Sequence, residues 1–309
     1  VPKRTSFLFL LIATSLWSLT QPVNAQALVP YLPQLDAEQL EQQGLSLAQE
    51  AAQLAQFQQY GLALTRAQLA SQLLPDNADV WALLGSLQLQ LGETDPAIEA
   101  LLKARSLDRS NSAVLFALGT AYFQKGNYDS AVQYIQAGLR LKPDNVGALF
   151  DLGNAFYKLE QYDKAIAEYQ KAMDLDPQFW PAVNNIGLVL YEQGDVAGAL
   201  ERWQEALAID NTQAEPQMAI AVVLYSQGQT EEGLAQGEAA LRTDARYGDL
   251  QFLEDNLWGE QLLSEAETFL SQPRIRETLA RLNQSPLSPP PPSSQDAAPT
   301  APVEQPTPQ

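Results

Sequence analysis

The chain repeats itself every 34 residues, and that period constrains its fold more than any property of its composition. The clearest unit runs from Val146 to Phe179, VGALFDLGNAFYKLEQYDKAIAEYQKAMDLDPQF. Leu149, Leu152 and Phe156 fall at i, i+3 and i+7, the apolar face of a first helix. Ile166, Tyr169, Ala172 and Met173 keep helical spacing in a second. Gly153 and Ala165 are small where two antiparallel helices have to approach closely, and bulky residues flank them. Pro177 then stops the second helix. Such a pair leaves apolar surface on both of its sides, so it is stable only when stacked between neighbours.

The chain supplies those neighbours in an unslipping register. Residues 78–111 carry Trp81, Leu84, Gly85, Ala97, Leu101 and Ala104 at the matching positions, and residues 112–145 carry Leu115, Leu118, Gly119, Tyr122, Ala131, Ile135, Gly138 and Pro143. Residues 180–213 carry Val183, Ile186, Gly187, Leu190, Ala199, Trp203 and Ala206. The units at the two ends are degenerate. Residues 44–77 keep Leu47, Leu54, Ala63, Ala67, Ala70 and Pro75 but have Glu50 and Ala51 where Leu and Gly stand elsewhere. Residues 214–247 keep Ile220, Ala221, Leu224, Gly233 and Ala240 and lose the aromatic and Pro signals.

In Leu149, Leu152, Gly153, Phe156, Ala165, Tyr169, Ala172 and Pro177 the unit closely resembles the tetratricopeptide repeat (TPR). The resemblance implies an all-α fold, a right-handed superhelical solenoid of stacked antiparallel helix pairs. It makes 78–111, 112–145, 146–179 and 180–213 full repeats, with degenerate ones at 44–77 and 214–247.

The flanks read differently. Residues 1–27 have the pattern of an export signal: Lys3 and Arg4, an apolar run from Phe7 to Leu19, and small residues at Val23, Ala25 and Ala27, with cleavage expected after Ala25 or Ala27. That run is shorter than the ~20 apolar residues that span a bilayer. The expected location is across the inner membrane, in a periplasm or thylakoid lumen, with no transmembrane segment once the signal is cleaved and membrane association if it is retained. Residues 28–43 form a connector, with Pro30 and Pro33, and then the start of an N-terminal helix that Asp36 and Gln39 are placed to cap. Residues 248–284 are expected to be capping helices. Leu253, Leu257, Trp258, Leu262 and Phe269 give this segment enough apolar surface for a dimerisation or docking element instead. In residues 285–309 nine of 25 are Pro, so that tail is expected to be disordered.

Composition removes whole classes of function. Acidic residues outnumber basic ones 37 to 18, for a net charge of −19, and a field of that sign repels nucleic acid. Cys and His are both absent, which excludes thiol nucleophiles, His general bases, Cys/His zinc sites and disulfides. No cofactor or metal is expected, and the chain is read as no enzyme.

In TPR proteins the first helix of each repeat lines a concave groove. By offset, the fifth positions here are Ala82, Phe116, Phe150, Asn184 and Met218, and the twelfth are Leu89, Phe123, Tyr157, Tyr191 and Tyr225. Asn154 and Asn185 stand where peptide-gripping TPR proteins use amides to hold a ligand backbone. The positions that carry cations in carboxylate-clamp repeats hold Phe150, Glu215 and Ala219, with Lys158 the nearest substitute, so an acidic peptide terminus is not the expected ligand. The candidate groove is therefore Phe116, Phe123, Phe150, Asn154, Tyr157, Lys158, Asn184, Asn185, Tyr191 and Tyr225. Its expected partner is a protein or peptide with an apolar or aromatic segment. The leading function is a scaffold or assembly factor. The alternatives are a structural subunit whose groove is filled by its own C-terminal helices or a second copy, and, last, an accessory part of an enzyme. An exported acidic TPR chain with a Pro-rich tail is similar to TPR proteins of cyanobacteria, some of which assist photosystem assembly.

Overall fold

A computed structural model describes residues 36–284; the export signal, the connector up to residue 35 and the Pro-rich tail lie outside the described residues. The chain divides after Leu40. In the first part Asp36 opens helix α1, its Oδ1 accepting the Glu38 N–H at 3.0 Å. The second part is built from helix pairs. These are α1 (Ala37–Gln56) with α2 (Tyr60–Leu73), α3 (Ala78–Gln90) with α4 (Thr94–Leu107), and α5 (Ser112–Gln124) with α6 (Tyr128–Leu141). They continue as α7 (Val146–Lys158) with α8 (Tyr162–Leu175), α9 (Trp180–Glu192) with α10 (Val196–Ile209), and α11 (Ala214–Ser226) with α12 (Thr230–Thr243). A 3₁₀ turn (Ala245–Gly248) leads to α13 (Leu250–Asp255), α14 (Glu260–Leu270) and α15 (Pro273–Gln284). Among the described residues there is no strand, and no helix is long and apolar enough to cross a membrane.

Local chemistry sets the helix ends. An asparagine closes three of the repeats and caps the first helix of the next: Asn77 Oδ1 accepts the Val80 N–H at 3.1 Å, Asn111 Oδ1 that of Val114 at 3.2 Å and Asn145 Oδ1 that of Ala148 at 2.8 Å. At α9 and α11 this cap is missing; in α9 Pro181 sits in the first turn, where its absent N–H costs nothing. Between the two helices of each repeat one residue takes a left-handed conformation: Gly92, Gly126, Gly194 and Gly228, with φ from 75° to 86°, and Gln58 and Glu160 at 57°. The hydrogen bonds there, such as Asn127 N–H to Tyr122 C=O, end the first helix and reverse the chain.

Inside each pair a glycine faces a large side chain. A Cβ on Gly85, Gly119, Gly153 or Gly187 would fall closer than 3.0 Å to Leu101, Ile135, Tyr169 or Trp203 respectively. Leu101, Ile135, Tyr169 and Trp203 are almost wholly buried. In the first repeat the corresponding pair is Ala51 and Ala67, both without exposure. In the last repeat it is Ala221 and Gly237, and the space over Gly237 is filled by Phe269 of α14. The C-terminal helices thus do more than cover the end of the stack. α15 packs on α12 as a cap, whereas α14 lies on the first helices α9 and α11.

Three consequences are measurable. Glu160→Gly should raise the unfolding free energy by about 0.5–1 kcal/mol, because a side chain in the left-handed region costs about 1–2 kcal/mol and glycine returns part of that to chain entropy. Gly126→Ala, at the same place one repeat earlier and in open space, should lower it by about 1 kcal/mol. Phe269→Ala should cost about 3–5 kcal/mol, the loss for a buried Phe that leaves a cavity. Urea denaturation followed by helical circular dichroism checks all three.

Candidate functional site

The inner wall of the stack is made by the first helices of successive repeats, and its two halves differ. In the C-terminal half the chain covers its own wall. The Tyr191 ring lies against Trp203, its hydroxyl donates to Glu265 Oε2 at 2.7 Å, and only 2% of the residue is exposed. Burial and the neighbouring Glu265 carboxylate hold the Tyr191 pKa well above the usual phenol range. Tyr225 meets Phe269 edge-on at 5.5 Å. Glu192, at the end of α9, accepts the Gln261 and Leu262 N–H groups at 3.4 Å and so caps α14. Burial raises its pKa, opposed by those two backbone donors. Glu215 is 1% exposed and accepts from Trp258 Nε1 at 3.4 Å and the Tyr247 hydroxyl at 3.5 Å. Ala219 and Met218 beside it have no exposure.

At the middle of the stack a ladder of polar groups is closed on itself. The Tyr169 hydroxyl donates to Asn154 Oδ1 at 2.8 Å, Asn185 Nδ2 to the same oxygen at 3.0 Å, and Asn184 Nδ2 to Asn185 Oδ1 at 3.1 Å. Trp203 Nε1 donates to the Asn184 C=O at 3.2 Å. The amides therefore tie α7 to α9, and a buried amide so partnered is costly to disturb. Asn184 Oδ1 and the Tyr157 hydroxyl are buried without a hydrogen-bond partner. Burial, first, and the Glu192 charge push the Tyr157 phenol pKa far up.

The ten sequence candidates fall into these environments unequally. Phe150, between Tyr169 at 5.7 Å and Phe179 at 5.3 Å, is a core residue, and Asn154, Tyr157, Asn184, Asn185 and Tyr191 are buried as well. Tyr225 is half-buried under α14. Phe116, over Gly138, and Phe123, at 5.3 Å from Tyr128, keep part of their rings exposed, as Lys158 keeps part of its stem. The expected continuous aromatic surface thus exists as exposed rings only on α5. From α7 on, the same positions serve the core or lie under the chain's own C-terminal segment. Sequence reading missed Glu192, Glu265, Leu257 and Trp258 as inner-wall residues. One signal pointed there: Gly237, standing where four preceding repeats carry Leu, Ile, Tyr and Trp.

Asp151 lies between the halves, on α7. It is half-buried, makes no hydrogen bond or ion pair among the described residues, and burial alone raises its pKa to about 7.

Two family models match the chain. The TPR domain of cytochrome c-type biogenesis protein H matches residues 31–179, and a TPR-repeat model matches residues 187–228. No curated protein matches it. Among solved structures it is similar to MamA, at 23% identity over 55% of this chain and 93% of that one, with a TM-score of 0.50. It is also similar to MamA of Desulfovibrio magneticus RS-1, at 19% over 55% and 97%, with a TM-score of 0.52. PilF of Pseudomonas aeruginosa is 18% identical over 72% of this chain and 98% of its own, with a TM-score of 0.56. At these identities the likeness is one of fold.

The Asp151 environment has a signed pH effect. The folded state holds this proton more tightly than the unfolded chain, so ionisation costs stability above pH ~7 and the cost disappears as pH falls toward 4. Asp151→Asn should therefore stabilise by about 1–2 kcal/mol at pH 8, a value discounted for partial exposure, and by little at pH 5. Denaturant midpoints of the two proteins at both pH values check it.

Proposed function

The chain belongs to the tetratricopeptide-repeat proteins, and we propose that it is a non-catalytic scaffold or assembly factor holding an apolar segment of a partner protein on the inner wall formed by α3 and α5. The observation that carries this reading is the difference between the two halves of the wall. The C-terminal helices pack on α9, α11 and α12 and Leu257 joins the α7 core, which leaves α3 and α5, with Asp151 and Lys158 at the edge of α7, as the accessible part. On α5 the wall positions are Ala113, exposed, and Ala117 and Thr120, half-buried, flanked by the partly exposed rings of Phe116 and Phe123. Small side chains between aromatic rings let a partner backbone approach and offer its apolar side chains large contact area at low entropic cost. Asp151 and Lys158 close this stretch on α7; Lys158 brings a cation, while burial leaves Asp151 only partly ionised at neutral pH. The net charge of −19 disfavours a strongly acidic segment as the occupant. The absence of His and Cys supports a non-catalytic role. The export-signal pattern of residues 1–27 supports work outside the inner membrane, in a periplasm or lumen.

One observation favours a second reading, that of a structural subunit. Tyr191 and Tyr225, expected on the groove, and Glu215, at a clamp position, are covered by residues 247–269 of the same chain. In that case the wall would be filled from within or by a second copy, and no partner segment would be needed.

Photo-crosslinking from position 117 in the native host, followed by mass spectrometry, separates the two. The scaffold reading expects a distinct foreign protein whose capture is lost in an Ala113→Arg, Thr120→Arg double variant of unchanged helicity. Crosslinks only to the chain itself, or capture indifferent to the two arginines, would favour the subunit. Affinity should be on the order of micromolar, as for small transient interfaces.

A further inference from the structure

The segment that covers the C-terminal wall binds it as a foreign ligand would. Its apolar anchors, Leu253, Leu257, Trp258, Leu262 and Phe269, are all buried, and they reach two different cores. Leu257 joins the cluster of Phe150, Tyr157, Ile186 and Val189, while Trp258 and Leu262 join that of Tyr191, Met218 and Val222. Three aromatic or backbone donors meet carboxylates of the wall or the strap: Trp258 on Glu215, Tyr191 on Glu265, and the α14 N-terminus on Glu192.

The two ends of this strap are held differently. At its far end Phe269 fills the space over Gly237, and Ile275 of α15 has no exposure. At its leading edge Leu257 is held at φ 67°, a conformation that costs a branched side chain about 1–2 kcal/mol. The bonds from the Trp258 indole to Glu215 and from the Gln261 and Leu262 N–H groups to Glu192 are 3.4 Å long, at the weak end of the range. Glu260 and Glu265 add like charge around Glu192. α13 has six residues, and Leu250 at its start is 37% exposed.

We infer that residues 249–262 are a displaceable internal ligand masking a second partner site, distinct from the open wall on α3 and α5. That site, where α7, α9 and α11 meet Leu257 and Trp258, takes a short apolar segment carrying an apolar–aromatic pair like Leu257–Trp258. The exchange is feasible because an incoming segment buries the same wall, so the surface exposed by the departing strap is covered again, and the strain at Leu257 is released. Phe269 and α15 stay in place as the tether. The inference does not depend on the open wall having a partner.

The test uses the full chain and a fluorescent synthetic peptide of residues 249–262 as the probe. Trp258→Ala should bind it at least tenfold more tightly than the unaltered chain. The chain has no cysteine, so an added pair, Glu192→Cys with Gly259→Cys, forms the one disulfide available and pins the strap. The oxidised pair should not bind the peptide, and reduction should restore binding. Hydrogen exchange on the unaltered chain should release amides of residues 250–262 well before those of α11. Ala113→Arg with Thr120→Arg should leave peptide binding unchanged, which separates failure here from failure of the open-wall reading. Equal binding by the unaltered, Trp258→Ala and oxidised chains would overturn the inference. So would no binding by any of them, or exchange of residues 250–262 only together with α11.

Discussion

The contact on which the rest depends is the meeting of a glycine on the first helix of a repeat with a large side chain on the second. Gly85 with Leu101, Gly119 with Ile135, Gly153 with Tyr169 and Gly187 with Trp203 set how closely each pair packs. A fully buried Leu or larger side chain contributes about 1.5–3 kcal/mol, so this position outweighs the caps and turns of the same repeat, at about 1 kcal/mol each. The caps and left-handed turns decide where helices stop. The glycine contact decides that they stay together. Where the chain breaks the rule, with Ala221 and Gly237, it must bring the missing ring from elsewhere, and Phe269 is that ring.

From this one displacement the division of the inner wall follows. To deliver Phe269, α14 packs on α11 and α9 and covers Tyr191 and Tyr225, while Trp258 just before it covers Glu215. The amide ladder of Asn154, Asn185 and Asn184 stands at the edge of the covered region, with Leu257 in the neighbouring core. Amides that could have gripped a ligand backbone are instead spent on one another and on Tyr169. Polar groups at a family's ligand positions are thus not free by virtue of their position; their burial and partners decide.

Nearly all of the repeat architecture was legible in the sequence, because it rests on local periodicity. Helices written as 34-residue units appear where Gly, Pro and Asn place their ends. The candidate site was legible only in part. Phe116 and Phe123 could be placed on the wall by offset. Whether Tyr157 or Tyr191 would be exposed could not, since that depends on contacts between residues such as Tyr191 and Glu265, 74 positions apart, which no period encodes. Gln58 and Glu160 show the same limit on a smaller scale: the turn forces them into a conformation their side chains disfavour, and nothing in their identity announces it.

The residue facing the glycine or alanine of the first helix grows along the stack, from Ala67 through Leu101, Ile135 and Tyr169 to Trp203. Cohesion therefore has a direction. In a nearest-neighbour array, melting enters at the end with the weakest coupling, here the Ala51–Ala67 pair at the N-terminal end. The repeats centred on the buried Ile135, Tyr169 and Trp203 are by the same logic the last part of the array to open.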